Sequence, residues 1–430
     1  MKTVNDYTGL TDSDRIEAAI ANRENGIVVI PPRVSDEEPE RDHWLIDRAI
    51  LLPENTTVIL QNCKIKLSDK CRDNFFRSAN CGLGKGDPEP LHNIHIRGEG
   101  LCILEGADHP RAAGDGSKIL ACPCPKTPED ICAMADWVPE ERRSPEKLDF
   151  WDAHDHSYGT DAGKEGESQY GDWRGIGILF ANVHDSSIEN LRIVCSHGWG
   201  ISFEACSCCR IEKIDFDANM EKMIDGLLNN MENQDGIDLR NGCHDIVIDG
   251  ITGGTGDDLI ALTAIRDPND YTGGGYRHTH IMHSDWTRRD PDIYNVIIRN
   301  VMGYSKGKIC NIIRLLPAGC RIHDVVIDGL IDNSPAGYRV GSVLLLGDGG
   351  GYGENGVDGM QNITISNIVC DSLWAISVDS YLSNSVITNV INKNPNCPAI
   401  HVCRRNGMVN VATSNIVSWG EEIIRYDDRH

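Results

Sequence analysis

A four-residue pattern recurs along this chain: an apolar residue, any residue, Asn or Gly, then a second apolar residue. From residue 93 onward it appears as Ile188-Glu189-Asn190-Leu191, Ile211-Glu212-Lys213-Ile214 and Ile248-Asp249-Gly250-Ile251. It returns as Ile298-Arg299-Asn300-Val301, Ile327-Asp328-Gly329-Leu330, Ile365-Ser366-Asn367-Ile368, Ile387-Thr388-Asn389-Val390 and Thr413-Ser414-Asn415-Ile416. Counted at the third position, the copies from 190 to 415 stand 23, 37, 50, 29, 38, 22 and 26 residues apart. Steps of 22 to 29 suit one coil each. Longer steps suit coils carrying loops, or two coils in the step of 50. A repeat of this size buries its apolar face only by stacking on the next copy. Apolar residues of period two, many Val and Ile, and few helical segments predict strands. The expected fold is therefore an all-β parallel β-helix, a solenoid, with a two-sheet sandwich as the competing arrangement. Asn and Gly at the third position suit tight turns between coil faces.

One segment reads as helix, Thr11-Asp12-Ser13-Asp14-Arg15-Ile16-Glu17-Ala18-Ala19-Ile20. Thr11 is its expected N-cap with Asp14 three residues on, and Ile16, Ala19 and Ile20 share a face. It precedes an apolar strand, Ile27-Val28-Val29-Ile30, ended by Pro31 and Pro32. A short helix there would cap the open end of the stack, whose bare edge otherwise invites aggregation. A solenoid grows in one dimension, so residues 1–430 are expected to form a single domain despite their length. Residues 106–174 interrupt the repeat. They are rich in Gly, Pro, Asp and aromatics, as in Phe150-Trp151-Asp152-Ala153-His154-Asp155-His156-Ser157-Tyr158. A segment this long is functional or disordered. Its aromatic content favours an inserted loop that walls a substrate cleft, since aromatic faces suit sugar rings.

The net charge of −24 argues against a nucleic-acid partner, which needs clustered Lys and Arg. No apolar run reaches the roughly 18 residues of a membrane helix, so no membrane partner is expected. Met1-Lys2-Thr3-Val4-Asn5-Asp6-Tyr7 lacks an apolar core, so no secretory signal is expected. The 17 cysteines are scattered through strand-like segments, among them Cys195, Cys243, Cys310 and Cys370. Free buried thiols in a reducing cytoplasm are the expected reading. The densest groups, Cys206-Ser207-Cys208-Cys209 and Cys122-Pro123-Cys124 with Cys132, lack a second pair at zinc-finger spacing. The glycines from Gly347 to Gly353 have neither the Lys-Ser/Thr nor the helix of a phosphate loop. No metal and no cofactor is expected, and the sequence does not specify an oligomeric state.

The chemistry-bearing residues lie in two aligned copies of Asp-x-Ile-x-Leu. One runs from Asp235 to Leu239 within Asn233-Gln234-Asp235-Gly236-Ile237-Asp238-Leu239. The other runs from Asp258 to Leu262 and follows Gly256-Asp257. Asp235 and Asp258 are 23 positions apart. If that is one coil, their strands are neighbours, about 4.8 Å apart. Carboxylates so close raise each other's pKa, so one keeps a proton while another stays ionised. Glycoside hydrolysis needs that division of labour. Trp199-Gly200-Ile201-Ser202-Phe203 and Asn311-Ile312-Ile313-Arg314-Leu315 extend the alignment. Because side chains alternate along a strand, Ser202, Asp238, Ala261 and Arg314 should form one outward strip, with Trp199, Asp235 and Asp258 at its margin.

With these motifs the chain resembles the polygalacturonases, glycoside hydrolase family 28, most clearly between about residues 185 and 330. Asn233-Gln234-Asp235-Gly236 looks like that family's Asn-Thr-Asp-Gly, and Gly256-Asp257-Asp258 like its Asp-Asp one coil later. The resemblance implies the right-handed parallel β-helix of the pectin-lyase fold. It also implies that Asp258 is the general acid, while Asp235 and Asp257 activate water, with inversion. Two family motifs depart. No Gly-His-Gly follows Asp258; the nearest histidines are His278, His280 and His283. Arg314-Leu315-Leu316 stands where the family has Arg-Ile-Lys, so the Lys that helps hold a uronate carboxylate is lost. A neutral sugar, or a uronate held by Arg240, Lys306 or Lys308, is then expected. The candidate site comprises Asp235, Asp257 and Asp258 as catalytic groups. Its candidate substrate-binding residues are Arg314, Asn233, Gln234, Asp238, Arg240, Trp199, His197, His280 and Lys308. The first reading is an exo-acting hydrolase of small oligosaccharides. The alternatives are a β-helical lyase, epimerase or glycosyl transferase, in some cases with Ca²⁺ held by carboxylates, and a non-catalytic carbohydrate-binding solenoid.

Overall fold

The computed structural model describes residues 2–69, 71, 73–82, 85–108, 175–218, 221–224, 227–230, 234–266, 284–306, 310–335, 340–347 and 355–427. Residues 109–174, nearly all of the expected insert, lie outside these, as do Asn233, His278, His280, His283 and Lys308.

The third position of the sequence repeat is where the backbone turns left-handed. Asn190, Asn300, Asn367, Asn389 and Asn415 have φ of 55°, 55°, 59°, 56° and 53°, and Gly250 and Gly329 have 71° and 76°. Asn tolerates this region through local hydrogen bonding, and Gly carries no Cβ to clash. The Asn side chains then stack from coil to coil. Asn389 Nδ2 donates to Asn367 Oδ1 at 3.1 Å, and Asn415 Nδ2 to Asn389 Oδ1 at 3.0 Å. A second left-handed position lies five residues earlier, at Asn295, Asn362, Asn384 and Asn410, with Asn410 Nδ2 donating to Asn384 Oδ1 at 2.8 Å. Each long strand therefore bends twice, while the sequence motif marks only the second bend.

The chain divides into two compact units. The first comprises Met1–Ser202, Ile214–Gln234 and Gly275–Ser284. Its helix Asp12–Ala21 begins at Thr11, whose side chain accepts from the Asp14 N–H at 3.2 Å. The helix buries Ile16, Ala19 and Ile20. Three stacks of parallel strands follow. Ile27–Ile30, Thr56–Gln61, Leu91–Glu99 and Val183–Val194 form one. Trp44–Ile46, Lys64–Leu67 and Ile103–Glu105 form the second. Ile50–Leu52, Phe76–Ser78 and Ile178–Ala181 form the third. Trp44, Phe75, Phe76 and Phe180 fill the space they enclose.

The second unit comprises Phe203–Lys213, Asp235–Gly274 and Asp285–His430. One parallel stack runs His244–Thr255, Ile293–Ser305, Ile322–Asp332, Met360–Cys370, Leu382–Asn392, Met408–Ser418. The other runs Ile237–Leu239, Ile260–Ile265, Ile313–Ala318, Ser342–Leu346, Trp374–Val378, Ile400–Val402, Ile424–Tyr426. Repeat apolar positions meet in register, as in Ile248↔Ile298↔Ile327↔Ile365↔Ile387, and all five are buried. The register also corrects one expectation. His244 pairs directly with Tyr294, so the 50-residue step is one coil carrying a long loop and not two coils.

No disulfide joins the cysteines among the described residues. Cys209 Sγ donates to the Ser207 carbonyl at 3.1 Å and Cys243 Sγ to the Phe203 carbonyl at 3.2 Å, as packed thiols beside strand carbonyls do. Among the described residues, no helix is long and apolar enough to cross a membrane.

Candidate active site

Two backbone hydrogen bonds set the register of the acidic residues. The Gly236 N–H donates to the Asp258 carbonyl at 2.9 Å and the Ile237 N–H to the Leu259 carbonyl at 3.0 Å. Ile237, Asp238 and Leu239 then face Ile260, Ala261 and Leu262, and these face Ile313, Arg314 and Leu315. The 23-residue offset is thus one coil. Asp235, Asp258 and Asn311 occupy the same place on three successive coils, each just before its strand. One carboxylate oxygen each from Asp235, Asp257 and Asp258 lie within 4.8 Å of one another.

Asp258 is 2% exposed and has defined partners. Its Oδ1 accepts from the Asn311 backbone N–H at 2.7 Å and from Asn311 Nδ2 at 3.0 Å. The Arg314 guanidinium stands 3.8 Å from its Oδ2. Asn311 is held in turn by Ser342, whose hydroxyl donates to Asn311 Oδ1 at 2.7 Å. Burial and the neighbouring Asp257 push the Asp258 carboxyl up to about 6, against the opposing pull of Arg314 and the two Asn311 donors. Asp235 is pushed well above the ordinary carboxylate range, first by burial and then by Asp238, Asp257 and Asp258, against the opposing pull of Arg314. Three carboxylates without enough compensating positive charge must keep a proton. Asp257, half-buried, accepts the Asp258 N–H on Oδ1 at 2.9 Å, and its carbonyl accepts from Thr255 Oγ1 at 2.7 Å.

Asp238, Ala261 and Arg314 have the anticipated register and a different exposure. Asp238 and Ala261 are 1% and 3% exposed, while the Arg314 side chain keeps 24%. Beyond Arg314 on its strand, Leu316 and Ala318 pack with Ile265 in a small apolar cluster. Leu316, two positions after Arg314, is thus a buried core residue. Arg240 is buried, with its N–H on the Phe203 carbonyl at 2.8 Å. The Lys306 N–H donates to the Thr255 carbonyl at 2.8 Å.

Other expected residues have structural partners in the first unit. Trp199 packs with Cys81, Ile176, Leu179 and Ala181. His197 Nε2 accepts from the Ala107 N–H at 2.9 Å. Gln234 Nε2 donates to the Ser196 carbonyl at 2.6 Å. Ser202 is fully buried.

Three residues near the carboxylates were not singled out in the sequence: Asn311, Ser342 and Cys310. The Cys310 thiol is pushed far up by burial and by Asp257 and Asp258 beside it. A signal for Asn311 was present, because it aligns with Asp235 and Asp258 in the repeat. Chemically, the cluster can hold a proton near neutrality beside an ionised carboxylate. Its convergent oxygens could also hold an oxygen-ligated divalent cation, although Arg314 already supplies positive charge there.

No protein-family model matches the chain, and no curated protein matches it. Solved structures do. A polygalacturonase from Erwinia carotovora ssp. carotovora aligns over 98% of this chain and 94% of its own, at 15% identity and a TM-score of 0.53. An endo-xylogalacturonan hydrolase from Aspergillus tubingensis aligns over 97% of this chain and 92% of its own, at 11% identity and a TM-score of 0.53. At these identities the likeness shows the fold, a right-handed parallel β-helix.

Proposed function

We propose that the protein is a glycoside hydrolase that cleaves a glycosidic bond in a carbohydrate at the Asp235–Asp257–Asp258 cluster. The observation that carries this reading is the Asp258 carboxyl, buried, fixed on one oxygen by two Asn311 donors and raised to about 6. An acid of that strength stays largely protonated up to about pH 6 and gives its proton up readily, as protonation of a leaving oxygen requires. Asp235 is also raised well above the ordinary carboxylate range, and half-buried Asp257 is the carboxyl assigned to the attacking water. This narrows the roles implied by the family resemblance, in which Asp235 and Asp257 act together.

The two solved structures described above are by name a polygalacturonase and an endo-xylogalacturonan hydrolase, which sets the first substrates to try. Leu316 stands two residues beyond Arg314, where the resembled family carries a uronate-binding lysine, so neutral oligosaccharides belong in the same screen. The family resemblance implies inversion, and retention is the competing outcome. Incubation with defined oligosaccharides and nitrophenyl glycosides tests the reading. Proton NMR of the first anomer released separates the two outcomes. An unsaturated, ultraviolet-absorbing product would replace hydrolysis by elimination, and binding without any product would leave only a carbohydrate-binding role.

A further inference from the structure

The outward strip that carries Arg314 continues along the same stack to a second cluster. In register, Arg314 faces Leu345, Leu345 faces Ser377, Ser377 faces His401 and His401 faces Arg425. His401 thus lies three coil steps from Arg314, roughly 14 Å at the spacing of neighbouring strands. Around it, Asp379, His401 and Cys403 each present a ligand atom, and the three atoms lie within 4.8 Å of one another. Cys403 Sγ is 3.5 Å from His401 Nδ1 and donates to Asp379 Oδ1 at 3.1 Å. The Ser377 hydroxyl donates to the same Asp379 oxygen and is 3.4 Å from His401 Nδ1.

A second observation fixes what His401 offers. Its Nε2 is 2.9 Å from Asp427 Oδ2. A carboxylate only accepts, so Nε2 carries the hydrogen and the Nδ1 lone pair is turned toward Cys403, Asp379 and Ser377. A carboxylate behind the imidazole is the arrangement that orients metal-binding histidines and makes them more basic. Trp374 stacks on the ring at 4.3 Å and holds its plane. Arg425, next along the strip, is turned to Glu422 at 2.7 Å and pairs its charge there. Two carboxylates, Asp379 and Asp427, thus frame the cluster.

We propose that Asp379, His401 and Cys403 bind a divalent transition-metal ion, best suited to Zn²⁺. Thiolate, imidazole and carboxylate together are a zinc donor set. Zinc bonds of about 2.0–2.3 Å in a tetrahedron place sulfur and nitrogen about 3.5 Å apart, which is the separation found here. Binding replaces the Cys403 thiol proton, now directed at Asp379, with the metal, and the proton leaves to solvent. Three protein ligands leave a position open to water or to an anionic or hydroxyl group of a bound molecule, as in catalytic zinc sites. The sequence reading expected no metal; His401 and Cys403 adjoin one strand, but Asp379 follows the strand of the coil before it, so no zinc-ligand spacing marks the set.

The test begins with chelator-treated full-length protein titrated with Zn²⁺ by calorimetry and with Co²⁺ by visible absorption. The wild type is expected to take up one more equivalent than Cys403→Ser or His401→Gln. Its Co²⁺ form should show tetrahedral bands and a thiolate charge-transfer band that both variants lose. Asp427→Asn, at a half-exposed position, should weaken Zn²⁺ binding by about 10–100-fold and keep the bands. A readout without substitution is the alkylation rate of Cys403, followed by peptide mass spectrometry, which saturating Zn²⁺ should slow at least tenfold. Equal metal uptake and equal Co²⁺ spectra in wild type and variants, or alkylation indifferent to Zn²⁺, would overturn the proposal.

Discussion

Asn311 holds Asp258 with two donors on one oxygen, its backbone N–H at 2.7 Å and its side-chain Nδ2 at 3.0 Å. The two residues are 53 positions apart in sequence and one coil apart in space. The contact fixes the carboxyl's orientation and limits how far burial can raise its pKa.

Asp258→Asn keeps the size of the side chain and removes its acid. Turnover should fall by on the order of 10²- to 10⁴-fold, the usual contribution of a general acid. Circular dichroism and the unfolding midpoint should remain those of a folded protein. A rate near that of the wild type would rule out Asp258 as the acid.

The pH dependence follows from the same carboxyl. Protonated Asp258 is the active form, so kcat should decline as pH rises through about 6. Asn311→Ala deletes one donor to the ionised form. The declining limb should then move to higher pH, while stability falls by about 1–3 kcal/mol for the loss of a buried partner. A profile with the same limb in both proteins would separate it from Asp258.

Stability should respond to pH with a definite sign. Asp258 has a folded pKa of about 6, against about 3.9 in an unfolded chain. This contribution is complete below about pH 4 and is lost as pH rises through about 6, amounting to about 3 kcal/mol. Asp235, also raised by burial and by Asp238, Asp257 and Asp258, acts in the same direction. Asp235→Asn should therefore stabilise the protein more at neutral pH than near pH 4, and should reduce turnover. Urea unfolding at the two pH values measures both. Equal gains at both would show that folding does not raise the Asp235 carboxyl above its unfolded value.

The repeat can be tested away from the site. Ile327 is fully buried between Ile298 and Ile365 in the stack, and Ile327→Ala should cost about 2–5 kcal/mol. At left-handed Asn389, Gly should be tolerated. Val should destabilise by about 1–2 kcal/mol or more, since its branched side chain clashes there and the Asn367–Asn389–Asn415 ladder is broken. Equal stability of the two variants at position 389 would show that the turn does not require φ above zero.

The stacked coils were legible in the sequence because they depend on local rules. An apolar residue every second position faces inward whatever lies on the next coil. Asn or Gly at positions such as 300, 329 and 389 marks where the chain turns left-handed. The capping helix was legible for the same reason, from Thr11 and the apolar face behind it. The 23-residue spacing of Asp235 and Asp258 set their adjacency directly, since no loop intervenes.

Where loops do intervene, spacing carries no register. Asn311 could be aligned with Asp258 but not seen to bind it. The step of 50 residues permitted two coils until His244 was found opposite Tyr294. Trp199 and His197 read as surface groups because alternation gives the direction of a side chain, not what packs against it. The sequence by itself determined the repeat, its turns and the pairing of the acids. The tertiary structure alone decided which carboxyl is held by Asn311, how deeply the strip is buried, and that Asp379, His401 and Cys403 converge. Those properties depend on distances between coils and on exclusion of water, and both arise only when the coils are stacked.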